Sequence, residues 1–158
     1  MTLLGHNDGS NYSTGASYLD LATWIIQNQK DVDVDLEELW RRIVFSIAIR
    51  NTDDHLRNHG FLLTKDGWRL SPAFDLNPDP QGIGLSLNID SSNNALDIDL
   101  VRSVARLFRI DSHRADQIID QVRDAVWNWR QIATELQISR MQQNSMARAF
   151  SALTVGHK

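Results

Sequence analysis

There is no cysteine among the 158 residues. That excludes a disulfide scaffold, a cysteine-ligated zinc site, an iron–sulfur cluster and a thiol nucleophile. Long hydrophobic runs are also missing, and nothing approaches the ~18 apolar residues that span a bilayer. Residues 1–15 are rich in Gly, Asn and Ser, with no basic or apolar stretch of the kind a secretory signal needs. A cytoplasmic location is therefore expected. Proline is scarce, and Pro72, Pro78 and Pro80 all fall in one segment. What is present is ordinary: 42% hydrophobic and 23% charged residues place the chain with soluble globular proteins rather than disordered or fibrous ones. Its length suits one domain.

The net charge of −4 hides an asymmetry. Residues 1–50 carry four basic and seven acidic side chains, residues 51–100 three and eight, and residues 101–158 nine and five. An acidic middle can hold a cation, and a basic C-terminal third can meet an anionic surface. The plainer reading of the basic end is a set of solvated helix faces, because its charges alternate in sign.

Periodicity predicts a mostly helical chain. Ser17 is placed to cap a helix reaching Asn28 with Leu21, Trp24 and Ile25 on one face. Asp35 is read as the N-cap of a second helix to Arg50. There, Leu36, Leu39, Trp40, Ile43, Val44, Ile47 and Ala48 recur at steps of three and four. Residues 60–63 and 67–70 flank Thr64-Lys65-Asp66 and read as a β-hairpin with Asp66-Gly67 at its turn. Residues 71–95 read as a functional loop, with a short strand over 83–89. Helices are expected over 99–109, from a Ser112 cap to Leu136, and from a Ser139 cap to Leu153. Of the pair Trp127 and Trp129, one is expected in the core and the other at its rim. His6, His113 and His157 have no spacing that suggests a metal and are read as surface residues.

Polar side chains concentrate between the second helix and the hairpin: Asn51, Asp53, Asp54, His55, Arg57 and Asn58. Asp75 follows the hairpin. Since a hairpin brings its ends together, Asp75 is expected beside Asn58, with Asp53 nearby. Magnesium takes hard oxygen ligands, a few from protein and the rest from water and phosphate. A kinase also needs a carboxylate to accept the proton of the substrate hydroxyl. Protein kinases set the base and a metal-binding Asn as Asp-x-x-x-x-Asn, with a second metal-binding Asp after a hairpin. Asp53 and Asn58 have that spacing, and Asp75 stands 17 positions beyond Asn58, after an aromatic residue. Charge alone leaves Asp53 and Asp54 equivalent; the distance to Asn58 selects Asp53. Arg57 suits either a phosphate or a pairing with Asp54. Asp53 also suits an Asx-turn after the helix, and Asp54 a loop-bracing role.

The stretch NTDDHLRNHGFLL followed by WRLSPAFDLNP resembles the catalytic segment of the HipA-like serine/threonine kinases, the toxins of bacterial toxin–antitoxin pairs. The opening TLLG…DG…SYLDLA and the tail around AVWNWRQIA resemble the same family. The resemblance implies a mainly α fold, a helical kinase-like C-terminal lobe with a short β-hairpin after the catalytic loop. It implies that Asp53 is the catalytic base, that Asn58 and Asp75 are magnesium ligands, and that His55 positions the loop. ATP and Mg2+ are the implied cofactors. The implied partners are a protein substrate bearing Ser or Thr and a HipB-like helix-turn-helix antitoxin, with an indirect association with DNA.

The family's N-terminal portion supplies a β-rich lobe, a nucleotide-contacting Lys and a regulatory loop. None is identified here, since Lys30 is in a linker, Lys65 in the hairpin turn and Lys158 at the terminus. Residues 1–158 are therefore expected to be the C-terminal lobe alone, weak or inactive in phosphoryl transfer by itself. Two other functions compete: a non-catalytic module that binds an antitoxin or a separate N-terminal partner, and a metal-dependent phosphohydrolase built on Asp54-His55.

Overall fold

The apolar stripe of the second helix organises everything around it. In a computed structural model, which describes residues 2–152, α1 spans Tyr18–Asn28 and α2 spans Val32–Ala48. Leu36, Leu39, Trp40, Ile43, Val44 and Ile47 of α2 are all fully buried. Helix α2 packs on α1, on α3 (Ile98–Ser103), on α4 (Ser112–Trp127) and on the hairpin strand β2. The Trp40 indole, wholly enclosed, donates from Nε1 to the Val101 carbonyl at 3.1 Å, so burying this large ring leaves no polar atom stranded. The fold is mainly α, and its one sheet among the described residues is the two-stranded hairpin β1 (Phe61–Thr64) and β2 (Gly67–Leu70).

Ser17 caps α1 as expected, its hydroxyl accepting from the Leu19 amide while Asp20 accepts from the Ser17 amide. Asp35 does not cap α2. That helix starts a turn earlier, at Val32, and Asp35 lies inside its first turn, 3% exposed. Its carboxylate accepts from the Leu70 amide at 2.6 Å and from the Arg69 guanidinium at 2.9 Å. The side chain is drawn away from its own helix because an outward-facing amide of β2 requires an acceptor there. Seven residues on, Arg42 donates to the Ser71 carbonyl at 2.6 Å. Thus α2 grips the second strand and its exit. From the other side, the Trp24 ring of α1 packs on Phe61 and Trp68, with ring centres 4.0 and 5.9 Å away.

The hairpin register pairs Phe61 with Leu70 and Thr64 with Gly67, so the loop residues are Lys65 and Asp66. Gly67 opens β2 at φ +116°, a conformation that needs glycine. Residues 83–89 do not form a strand. Leu85, Leu87 and Ile89 do alternate into the core, but only isolated bridges form, Gly84 with Ala95 and Ser17 with Asn88. The intervening polar side chains bond to distant carbonyls instead of lying beside a neighbouring strand.

The C-terminal part is more broken than periodicity suggests. The segment expected as one helix over 99–109 divides into α3, capped by Asp97, and a 3-10 turn at Ala105–Phe108. Asp111, not Ser112, caps α4. That helix stops at Trp127, and α5 (Trp129–Glu135) follows a break at Asn128. Ser139 does cap α6, which ends at Met146; Leu153 lies outside the described residues. Neither Trp127 nor Trp129 is a core residue. Trp127 is 51% exposed, and the half-buried Trp129 stacks on Phe150 at 4.4 Å. His113 is exposed and His6 pairs with Asp20, while His157 lies outside the described residues.

Asp35 tests whether α2 holds the hairpin. Asp35→Ala leaves a buried amide unpaired and is expected to cost about 3 kcal/mol in urea unfolding. Asp33→Ala, which removes only an exposed pair with Arg109, is expected to cost less than about 1 kcal/mol. Equal losses would remove Asp35 from this role.

Candidate active site

The chain leaves α2 through a reversal. Arg50 adopts φ +52°, and its guanidinium donates to the carbonyls of Gly82 and Arg148, both at 3.1 Å. The next nine residues form the polar loop, and almost every one is tied down. Asn51 accepts from the Asn77 amide at 3.2 Å, joining this loop to the segment after the hairpin. Thr52 donates its hydroxyl to Asp79 at 3.0 Å, and its carbonyl accepts from the Ser86 hydroxyl at 2.8 Å. Gly82 passes so close that a Cβ there would stand 2.3 Å from the Thr52 methyl. The contact requires glycine.

Asp53 and Asp54 are adjacent and chemically identical, yet they face opposite environments. Asp54 is 1% exposed. It accepts from the Tyr18 hydroxyl of α1 at 2.6 Å and the Ser46 hydroxyl of α2 at 3.1 Å, and its other oxygen lies 3.1 Å from His59 Nε2. Burial alone pushes its carboxyl up, but His59, Tyr18 and Ser46 outweigh that and hold it below the usual carboxylate value. Burial, reinforced by the charge of Asp54 and the hydrogen bond to it, holds the Tyr18 phenol well above its ordinary value. Asp53 is exposed, and its side chain has no hydrogen bond or ion pair among the described residues.

Asn58 and Asp75 meet. They flank the hairpin, and Asn58 Nδ2 donates to Asp75 Oδ2 at 2.7 Å. Asn58 is buried and its Oδ1 accepts from the His55 amide at 3.2 Å; Asp75 is exposed and also accepts from Asn77 Nδ2 at 2.6 Å. Asp75 sits at φ +57°, a left-handed conformation that aspartate tolerates better than most residues. His55 meets Asn58 through its main chain. Its ring Nδ1 is buried without a hydrogen-bond partner among the described residues. Arg57 is exposed and pairs with Asp8, not with Asp54.

The donors fit magnesium in kind. Asp75 offers a carboxylate and Asn58 an amide oxygen with a second lone pair, both hard oxygens, although it is Asn58 Nδ2 that meets Asp75 while Oδ1 is turned to the His55 amide. No cluster of three or more His, Cys, Asp or Glu side chains suited to a metal occurs among the described residues. Lys30 and Lys65 lie in the α1–α2 linker and at the hairpin tip, and Lys158 is outside the described residues. An apolar groove of about 670 Å3, lined in part by Ile49, Pro78, Trp129 and Phe150, opens between α5, α6 and the end of α2. It contains none of the polar loop residues.

Sequence reasoning missed Tyr18, Ser46 and Ser86, whose spacing carries no signal: they lie 36, 8 and 34 residues from their partners in the loop. His59 also carries little sequence signal. Its only cue was a second histidine at the entry to a strand.

The lowered Asp54 value has a consequence for acid stability. A carboxyl depressed in the folded state stabilises the fold above its unfolded value, about 4. That contribution is lost as pH falls through the folded value. Asp54→Asn is therefore expected to be less stable than the parent at pH 7, with the gap narrowing below about pH 4 in urea titrations. A gap that stays constant down to pH 3 would contradict the assignment.

Residues 1–129 match the family described as the HipA-like C-terminal domain. A protein named "Putative kinase" from Haemophilus influenzae (strain ATCC 51907 / DSM 11121 / KW20 / Rd) is 31% identical over 68 residues, 42% of this chain. The match spans 20% of that protein's length. With the family match covering most of the chain, the helical lobe and the hairpin that brings Asn58 to Asp75 have a relationship by descent: the chain belongs to the HipA-like C-terminal domain family.

Proposed function

We propose that this domain carries the base and the metal ligands of a serine/threonine-protein kinase, and that sequence outside these 158 residues supplies the part that covers the nucleotide. The observation that carries the reading is the arrangement of three oxygen-bearing side chains. Asn58 and Asp75 touch at the mouth of the hairpin, and Asp53, five residues before Asn58, is exposed with no competing partner. Asp53 would orient a protein Ser or Thr hydroxyl and accept its proton as the oxygen takes the γ-phosphoryl group of ATP and ADP leaves. Asn58 and Asp75 would hold magnesium, which when bound neutralises phosphate charge. His55, by donating its main-chain amide to Asn58 Oδ1, would fix the Asn58 side chain in one orientation and leave the second lone pair of Oδ1 for the metal. Arg57 is close in sequence but engaged with Asp8, so a phosphate contact by Arg57 would require that exposed pair to open.

The family membership supports this reading, and so does the name of the Haemophilus influenzae relative. It makes a small helix-turn-helix antitoxin the expected protein partner, with any DNA contact made through that partner. The alternative of a non-catalytic binding module requires neither an exposed Asp53 nor its spacing to Asn58, so these features favour catalysis. A phosphohydrolase on Asp54-His55 is disfavoured, because Asp54 is enclosed by Tyr18, Ser46 and His59.

Kinase catalysis is mostly positioning and electrostatic stabilisation of phosphates, so the 158 residues alone are expected to transfer phosphate very weakly. Activity should appear when a β-rich nucleotide-binding lobe is joined to them. In that complete form, Asp53→Ala is expected to lower transfer by about 10²–10⁴-fold. Asp75→Ala should abolish magnesium-dependent ATP binding in calorimetry. Strong transfer that survives Asp53→Ala would refute the assignment. Tight binding of a protein partner with no nucleotide binding in the complete form would instead establish the binding module.

A further inference from the structure

Asp53 has a difficulty as a catalytic base. Such a group must be held to within a fraction of an ångström, yet its side chain makes no hydrogen bond or ion pair among the described residues that would hold it. Its position has to be imposed through the main chain, and the residues on either side are both anchored. On the N-terminal side, the Thr52 carbonyl is held by Ser86 and the Thr52 hydroxyl by Asp79. On the C-terminal side, the Asp54 carboxylate is held by Tyr18, Ser46 and His59.

These anchors are themselves connected. The Tyr18 amide donates to the Asn88 carbonyl and the Asn88 amide to the Ala16 carbonyl, both at 3.0 Å. The Tyr12 amide donates to the Ser86 carbonyl at 2.7 Å. The Tyr18 ring also stands edge-on to His59, centres 5.7 Å apart. The start of α1 and residues 86–88 therefore form one frame that holds the loop on both sides of Asp53.

Resting on the kinase reading above, we infer that Asp54, clamped by the Tyr18 hydroxyl, is a positioning residue for Asp53, and that Ser86 is its counterpart on the other side. Asp54 is not itself the base: it is enclosed and its oxygens are already engaged. Its function is to fix the peptide that follows Asp53, so the neighbouring carboxylate points outward with little freedom. Tyr18 then contributes to the site from 35 residues away in sequence, through one hydrogen bond to a buried charge.

The test is amide hydrogen exchange of the full 158-residue chain, read at Thr52, His55, Asn58 and His59, whose amides are bonded within the loop or to Arg50 at its start. Tyr18→Phe removes one oxygen and keeps the ring, and Ser86→Ala removes the other tie. Ile119→Val, in the core of α4, is the control for a general loss of stability. Tyr18→Phe and Ser86→Ala are each expected to speed exchange in the loop about tenfold beyond the control, with α4 unchanged. Loop exchange no faster than in the control would overturn the inference. A second arm uses the form joined to a nucleotide-binding lobe. There, Tyr18→Phe should lower kcat about tenfold and leave KM for ATP within about twofold. An unchanged kcat, or a rise in KM alone, would overturn the positioning role. If the parent transfers no phosphate in that form, the kinase reading fails, and the exchange experiment still decides whether the frame holds the loop.

Discussion

A single buried carboxylate holds three parts of this fold together. Asp54 sits where α1, α2 and the polar loop converge, and each contributes a group to it: Tyr18, Ser46 and His59. Removing a charge from water costs several kcal/mol, and only a nearly complete set of partners offsets that cost. The arrangement is consequently intolerant of register shifts. Sliding the loop by one residue would bury Asp53 in the same pocket and turn Asp54 outward, moving the exposed carboxylate relative to Asn58. Two equivalent side chains thus take different roles because the surroundings of one are already fixed, a pattern familiar from paired carboxylates in active sites.

The segment after the hairpin completes the frame without regular structure of its own. Between Ser71 and Asp97 there is neither helix nor strand, a length that usually signals a functional or loosely ordered region. Here it is held by specific bonds. The Asp79 and Asn77 amides bond to the Arg50 carbonyl and to Asn51 Oδ1, Asn88 Nδ2 reaches the Tyr12 carbonyl, and Asn94 Nδ2 reaches the Leu85 carbonyl. Gln81 and Gly82 complete a tight turn at Asp79, whose carboxyl is lowered chiefly by the Gln81 amide. Backbone groups that a sheet would pair in one ladder are satisfied piecemeal, some by scattered main-chain bonds such as Leu85 to Asn94 and Asn88 to Ala16, others by Asn, Asp and Ser side chains. That explains both the polar composition of the segment and its failure to become the strand that the alternation of Leu85, Leu87 and Ile89 suggests.

The same contrast governs what could be read in advance. Amphipathic faces are local, so α1 and most of α2 were legible, as were the hairpin and the capping of α6 by Ser139. Asn58 meeting Asp75 was also legible, because a hairpin makes that geometry almost compulsory. Asp35 was misread because an acid before an apolar run looks like a cap whether it bonds its own helix or a strand 35 residues later. The break at Asn128 and the stop at Met146 escaped notice for a related reason. Apolar residues continue past both points, and packing decides where they cease to share a face. The Tyr18–Asp54 contact is the extreme case. Nothing local distinguishes a buried tyrosine that serves the core from one whose hydroxyl anchors a loop.

The uneven distribution of charge finds its explanation inside the molecule. The acidic first third and the basic last third lie against each other where α2 packs on α4. Arg114 forks onto Glu37, Arg41 shares Glu37 and reaches Gln121, and Arg109 pairs with Asp33. Arg114 holds the Glu37 carboxyl below its usual value. Arg102 and Arg123 pair within their own region, with Asp99, Asp116 and Asp120. Part of the positive charge that could have been read as a surface for nucleic acid is therefore matched by carboxylates a few ångströms away. Such exposed pairs add little stability. They do cancel the field that would draw a polyanion from a distance. Four of the nine basic side chains in that third, Arg102, Arg109, Arg114 and Arg123, are thus engaged with the chain's own acids rather than presented as an open cationic face.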